Sequence, residues 1–161
     1  MNFSEKDIEG FAKKYYQMDT SVIPLTGEYE FNYLLTATDG VKYIFKVASD
    51  ENSYDFFDAQ VKIVSHLLKT EVADKFFRYI PNIEGEAITV LQLGNRNYFL
   101  RLLTYLEGEF WVNIKERSDA LHINFGNLLG RMDKVLETFL TQPCTAIICG
   151  ISAMQRMPIK S

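Results

Sequence analysis

The sequence predicts an α+β fold, in which an antiparallel sheet of about five strands has one helix packed across it. Strand-type patterns occur in neighbouring groups that are joined by short, turn-rich segments. A helical pattern over residues 52–69 separates the two groups, and amphipathic helical patterns stand before and after them. Strands that pair with their neighbours in sequence, with a helix laid across them, are typical of an α+β domain.

The first element is predicted to be a short amphipathic helix over residues 4–16. Ser4 is followed three residues later by Asp7, which resembles a capping box with Asp in place of Glu or Gln. Apolar residues then recur on one helical face: Ile8, Phe11, Ala12 and Tyr15.

Residues 21–47 change to a strand pattern and predict three antiparallel strands. The pair Asp39-Gly40 stands between two apolar runs, and this dipeptide is a strong signal for a tight hairpin turn. We therefore interpret Asp39 as a turn residue and not as a metal ligand.

The rest of the chain repeats these patterns at wider spacing. No Gly or Pro interrupts the apolar periodicity over residues 52–69, which favours a helix. Three further strands are predicted over 76–80, 86–91 and 98–106, followed by a last helix over 118–140.

Composition restricts the classes of function. The 161 residues carry a formal net charge of −4, with no basic stripe of the kind that binds nucleic acid. The polar amino terminus does not resemble a signal peptide, and no apolar run is long enough to cross a membrane, so a cytoplasmic protein is expected. Two cysteines and two separated histidines do not suggest a zinc site.

Lys46 is the residue with the clearest chemical potential. It interrupts the apolar run Tyr43-Ile44-Phe45-Lys46-Val47, between a predicted hairpin and a predicted helix. A cation at this place could meet the phosphates of a nucleotide if a polar group from the helix oriented it. Taken by itself, however, the pentapeptide is more often a strand whose lysine points into water.

The arrangement resembles the aminoglycoside phosphotransferase family, which has the protein-kinase fold and includes hydroxylysine kinase. It is most similar to the kinase-like domain found at the front of some class III aminotransferase fusions. The resemblance covers residues from about 5 to 140. Its most specific stretch is Arg-Leu-Leu-Thr-Tyr-Leu-Glu-Gly, which looks like the hinge between kinase lobes; the matching segments are 25–35, 43–47, 57–60 and 101–108.

The resemblance implies a protein-kinase-like amino-terminal lobe that binds ATP with Mg²⁺. According to this resemblance, Lys46 contacts the nucleotide phosphates, and the backbone of the hinge contacts the adenine. Either Gln60 or Asp58 stands where kinases keep the acidic partner of the lysine, and the register leaves both open. The loop residues that cover the phosphates include Thr26, Gly27, Glu28 and Asn32, and the hinge residues are Leu103, Thr104, Tyr105 and Leu106. From the sequence itself, Glu28 and Glu30 are interpreted as solvated loop carboxylates.

Residues 1–106 are expected to form the nucleotide-binding lobe, and residues 107–140 the exit from the hinge and the start of the carboxyl lobe. Kinases of this kind also need a catalytic loop with an Asp base and an Asp that holds magnesium. No His-Gly-Asp, His-Arg-Asp or Asp-Phe-Gly stretch occurs, and the last aspartate is Asp133. We therefore expect a truncated kinase lobe that binds ATP at most and is inactive by itself. The alternative is a small non-catalytic α+β binding or interaction module.

Residues 141–161 lose helical periodicity and match nothing in the family. The hypothesis is that a frame shift near Thr141 left these residues out of frame, because the degenerate codons read two bases later allow a family-like segment. The DNA beyond codon 136, read in all three frames, would test it. A lobe without its partner lobe also exposes apolar surface, so self-association is expected.

Overall fold

A computed structural model describes residues 3–139 of the chain. The predicted tail at 141–161, with both cysteines, lies outside the described residues. The α-helices are α1 (Glu5–Tyr16), α2 (Tyr54–Leu67) and α3 (Asp119–Leu136), and single 3₁₀ turns occupy Ala73–Lys75 and Trp111–Asn113. The strands are β1 (Thr20–Leu25), β2 (Phe31–Ala37), β3 (Lys42–Ser49), β4 (Tyr79–Ile80), β5 (Thr89–Leu93) and β6 (Arg96–Thr104).

The strands form one antiparallel sheet, which confirms the α+β class. The order is β1-β2-β3-β6-β4. β5 pairs with the first part of β6, and β4 pairs with the last part of the same strand. The predicted strand at 76–80 is shorter than expected, since only Tyr79 and Ile80 pair. Phe76 and Phe77 are both buried, and two consecutive buried side chains do not fit the alternation of a strand with one exposed face.

The two strongest local signals are confirmed. The Ser4 hydroxyl accepts from the Asp7 N–H at 3.3 Å, while Asp7 accepts from the Ser4 N–H at 2.8 Å, and this pair of bonds is a capping box. In the hairpin, Gly40 takes a φ of +85°, and Asp39 accepts from the Val41 N–H at 3.0 Å. Gly has no Cβ, so it adopts this left-handed conformation without strain.

β1 lies at the edge of the sheet and contains Pro24 opposite Tyr33 of β2. Proline cannot donate a backbone hydrogen bond, so it is tolerated in an edge strand, where the missing donor can face away from the sheet.

The described chain divides into two compact units. The first comprises residues up to 58 together with 79–105, and the second comprises residues 59–78 together with 106 onwards. The lobe boundaries expected at 106 and 140 stay predictions.

The core of the first unit lies between α1 and one face of the sheet. Alternate residues of the strands point to this face, as the two-residue period of a strand requires. Fully buried members of this core include Ile8, Ala12, Leu35, Phe45, Val47, Leu100 and Leu102. The residues between them in sequence, Lys46 and Arg101 among them, therefore lie on the opposite face.

The second unit has a smaller apolar cluster. Its buried members are Ile63, Leu67, Val72 and Phe76, and one stripe of α3 packs partly buried against them. No residue of α3 is fully buried, although the helix begins with a regular cap in which the Ser118 hydroxyl accepts from the Leu121 N–H at 3.2 Å. Helices stabilised by one partly buried stripe depend strongly on that stripe.

Candidate functional site

A row of polar residues crosses three adjacent strands on the face opposite the α1 core. Lys46 on β3 lies directly opposite Asn32 on β2 and directly opposite Arg101 on β6. Residues opposite each other in an antiparallel ladder share one face of the sheet, so the two cations are neighbours. The pairing of distant strands therefore places Lys46 and Arg101 in one site.

Glu30, immediately before β2, bridges the two cations. One carboxylate oxygen accepts from Lys46 Nζ at 2.9 Å, and the other accepts from Arg101 Nη2 at 2.7 Å. The exposed fractions of the side chains are 14% for Glu30, 23% for Lys46 and 1% for Arg101. The loop between β1 and β2 thus supplies an acidic partner of Lys46, and the interpretation of Glu30 as a solvated carboxylate is wrong.

Arg101 is enclosed by groups that accommodate a buried guanidinium. Its guanidinium carbon lies 4.1 Å from the centre of the Phe57 ring, which is a cation–π contact. Arg101 also forms a hydrogen bond with the hydroxyl of Tyr79. Burial raises the pKa of that hydroxyl, and the charge and hydrogen bond of Arg101 oppose the rise. The arginine is therefore fixed by an aromatic face, a phenol and a carboxylate.

The pKa of Glu30 lies below its ordinary value. Burial raises the pKa of this carboxyl, but the charges of Arg101 and Lys46, and the hydrogen bonds that both donate, lower it by more. Glu30 is consequently ionised near neutral pH. The three side chains then carry two positive charges and one negative charge, so the cluster has a net positive charge and can attract an anion.

The loop that carries Glu30 folds back on itself. Asn32 Nδ2 donates to the carbonyl oxygen of Glu30 at 3.2 Å. A Cβ at Gly27 would lie 2.2 Å from that same oxygen and 2.3 Å from Asn32 Nδ2, distances that no side chain can occupy. Gly27 is thus required for the close approach that sets the conformation of this loop.

The other residues predicted for the site occupy several places. Thr26 and Glu28 are exposed in the loop. Asp58 and Gln60 are half-buried on α2, Asp58 in the first unit and Gln60 in the second. Whether one of them also acts on Lys46 stays a hypothesis.

The four predicted hinge residues span the end of β6: Leu103 and Thr104 are its last two residues, and Tyr105 and Leu106 follow it. Leu103 is buried and pairs with Ile44 on one side and Tyr79 on the other, whereas Thr104, Tyr105 and Leu106 are half-buried. The Tyr105 N–H donates to the carbonyl of Lys42 at 3.4 Å, which is a long hydrogen bond. Leu106 belongs to the second unit.

Residues 3–139 contain neither a candidate metal site nor a candidate membrane-spanning helix. No three His, Cys, Asp or Glu side chains in this range are grouped so that they could hold a metal ion. No helix in it is long and apolar enough to cross a membrane.

Comparison with solved structures identifies the class of fold, which is that of a kinase. The amicoumacin kinase hAmiN, in complex with AMP-PNP, Ca²⁺ and Ami, aligns with a TM-score of 0.70 and 15% identity, over 88% of this chain and 42% of the kinase. Spectinomycin phosphotransferase APH(9)-Ia, in complex with ADP and spectinomycin, aligns with a TM-score of 0.56 and 12% identity, over 73% of this chain and 34% of the enzyme.

More particularly, the fold is the aminoglycoside phosphotransferase-like kinase fold, as the sequence predicted. The chain spans less than half the length of either structure. No family model matches the sequence, and no curated protein matches it.

Proposed function

We propose that this chain binds an adenine nucleotide as the amino-terminal lobe of a small-molecule phosphotransferase. The observation that carries the proposal is Lys46, which is fixed on the third strand of the sheet by Glu30 and remains 23% exposed. A lysine on this strand of a kinase fold meets the nucleotide phosphates. Its ammonium group has three donors, so a carboxylate and a phosphate can both be bound.

The loop before β2 supports this proposal. It is short, contains Gly27, and ends at Glu30, beside the lysine. Backbone N–H groups of such a loop can approach phosphate closely because glycine leaves room for the ligand. In the proposal, residues 26–32 cover the phosphates that Lys46 contacts.

The last two residues of β6 and the two residues after it supply the proposed adenine contacts. Backbone groups of residues 103–106 would face the base, as the hinge of a kinase does. Because the Tyr105 N–H already has an acceptor in Lys42, the carbonyl groups and the N–H of Leu106 are the better candidates for these contacts.

The proposal does not include phosphoryl transfer by this chain acting alone. Transfer needs metal ions and a carboxylate base. The described residues contain no group of carboxylates suited to a metal. Both solved structures are nucleotide complexes, with AMP-PNP in one and ADP in the other, which supports nucleotide binding as the property to test. A cytoplasmic location and a former fusion to an aminotransferase stay predictions from the sequence.

The test is calorimetric titration of the purified chain with ADP and with ATP, each with and without Mg²⁺. We expect saturable binding, and at least a tenfold loss of affinity in Lys46→Ala, because the side chain that meets the phosphates is gone. Lys6→Ala is the matched control, since Lys6 is an exposed lysine of α1 and its loss changes the charge equally.

If Lys46→Ala and Lys6→Ala bind ADP equally well, the lysine is not a phosphate ligand. If the wild-type chain binds neither ADP nor ATP, a non-catalytic binding module becomes the better interpretation.

A further inference from the structure

We propose that Glu30 is the residue that positions Lys46 for the nucleotide, and that Arg101 in turn fixes Glu30. This inference rests on the proposed function and assigns two residues to that site. Its consequence is that a carboxylate partner of the lysine belongs to the phosphate-covering loop.

The geometry supports a relay of three side chains. The two oxygens of Glu30 are divided between the cations, one at 2.7 Å from Arg101 and the other at 2.9 Å from Lys46. A carboxylate held at one oxygen by a fixed guanidinium has little rotational freedom left at the other. Its second oxygen therefore defines where the lysine ammonium lies.

Burial decides which member of the relay is fixed. Arg101 is 1% exposed and packs on Phe57, while Lys46 is the most exposed of the three. Removing the carboxylate from Arg101 would leave a buried charge without its counter-ion, which is strongly unfavourable. We infer that Glu30 stays with Arg101 when a nucleotide binds, and that the phosphate meets a lysine already held in place.

The loop itself is adapted to present this carboxylate. Asn32 holds the Glu30 carbonyl, and Gly27 closes over both residues at a distance that excludes a side chain. The backbone at Glu30 is thus constrained from two sides, so the relay links the conformation of the loop to the position of the lysine.

The decisive experiment separates positioning from simple charge balance. In the double variant Glu30→Gln/Arg101→Met, the buried cation and its counter-ion are removed together, so neither is left unpaired. If Glu30 positions Lys46, the double variant folds but binds ADP at least tenfold more weakly than wild type in metal-free titration. If Glu30 only neutralises Arg101, the double variant binds ADP as tightly as wild type, and the proposal is overturned.

Three single variants sharpen the result and serve if the double variant does not fold. Glu30→Asp keeps the charge but shortens the side chain, so it cannot reach both cations, and we expect weaker ADP binding. Glu9→Gln, at an exposed glutamate of α1, is the matched control and should bind as wild type does. Asp58→Asn tests the helix; a loss in this variant with none in Glu30→Asp would contradict the proposal.

A second readout does not need a nucleotide. The rate at which a lysine-acylating reagent modifies Lys46, measured by peptide mass spectrometry, reports whether its amine is held. We expect the rate to rise several-fold in the double variant and not in Glu9→Gln. An unchanged rate would overturn the positioning role. If wild type binds no ADP but this rate rises, the proposed function fails while the positioning of Lys46 stands.

Discussion

Two arginine–glutamate pairs in this chain have similar geometry and opposite surroundings. In the first unit, Arg101 and Glu30 are 2.7 Å apart, with 1% and 14% of their side chains exposed. In the second unit, Arg131 on α3 and Glu71 are 2.9 Å apart, with 48% and 65% exposed. Contact distance therefore does not distinguish the two pairs, but access to water does.

The difference determines what each pair can do. An exposed pair is screened by water and contributes little to stability, so it can be lost at almost no cost. A buried pair cannot be separated without leaving one charge in an apolar environment, so its members are fixed relative to each other. Of these two pairs, only the buried pair can hold a lysine in a defined position.

The largest expected effect tests this comparison directly. Arg101→Met should lower the free energy of unfolding of the first unit by about 3 kcal/mol, because it leaves Glu30 buried with one cation fewer. Arg131→Met, which removes the same group from the exposed pair, should cost at most about 0.5 kcal/mol. The measurement is hydrogen exchange of the β3 and β6 amides for the first unit, and urea unfolding followed by the single tryptophan, Trp111, for the second.

Equal losses in the two variants would mean that burial is not what separates the pairs. Adding Glu30→Gln to Arg101→Met should recover most of the lost stability, since the stranded carboxylate is then neutral.

Low pH is expected to have a smaller effect on stability, and this effect again depends on the buried pair. The pKa of Glu30 is lower in the folded state than its unfolded value of about 4.3. The stabilisation from Glu30 is therefore fully present above that pH, and it is lost as pH falls through the folded-state pKa. We expect the stability of the first unit to decline below about pH 4 in wild type, and less so in Glu30→Gln/Arg101→Met. The measurement is hydrogen exchange or circular dichroism as a function of pH. An equal loss of stability in wild type and in the double variant would contradict the contribution assigned to Glu30.

The smallest effect on stability concerns α3, whose apolar residues are partly exposed. Ile123 is 61% exposed and Leu129 is 40% exposed. Replacing both with Lys should change the free energy of unfolding by less than about 1 kcal/mol in total, since each is a surface substitution. If this helix mediates the self-association expected from the sequence, the same variant should lower the weight-average mass in sedimentation equilibrium. An unchanged mass in a self-associating protein would place the contact elsewhere.

The sequence could predict the features that depend on neighbouring residues. The capping box at Ser4 and the turn at Asp39-Gly40 are encoded within four residues, and both are confirmed. The α+β class and the kinase-like fold followed from the order of elements and from the resemblance at the hinge.

The site itself was only half predictable. Lys46 is a cation in an apolar strand, and Arg101 is another, but the sequence marks Arg101 only as the first residue of the hinge motif. Glu30 and Arg101 are 71 residues apart, and their contact depends on the register between β3 and β6. No local pattern specifies that register, so the sequence could not show that an apparently solvated carboxylate is buried between two cations.

The proline in β1 has a consequence for the behaviour of this protein at high concentration. An edge strand offers a row of unpaired backbone groups on which another molecule could add a strand of its own. Pro24, the fifth of the six residues of that strand, interrupts the row of donors. A growing fibril would lose a hydrogen bond there at every added molecule, so the residue that shapes the border of this sheet also opposes its extension into amyloid-like assemblies.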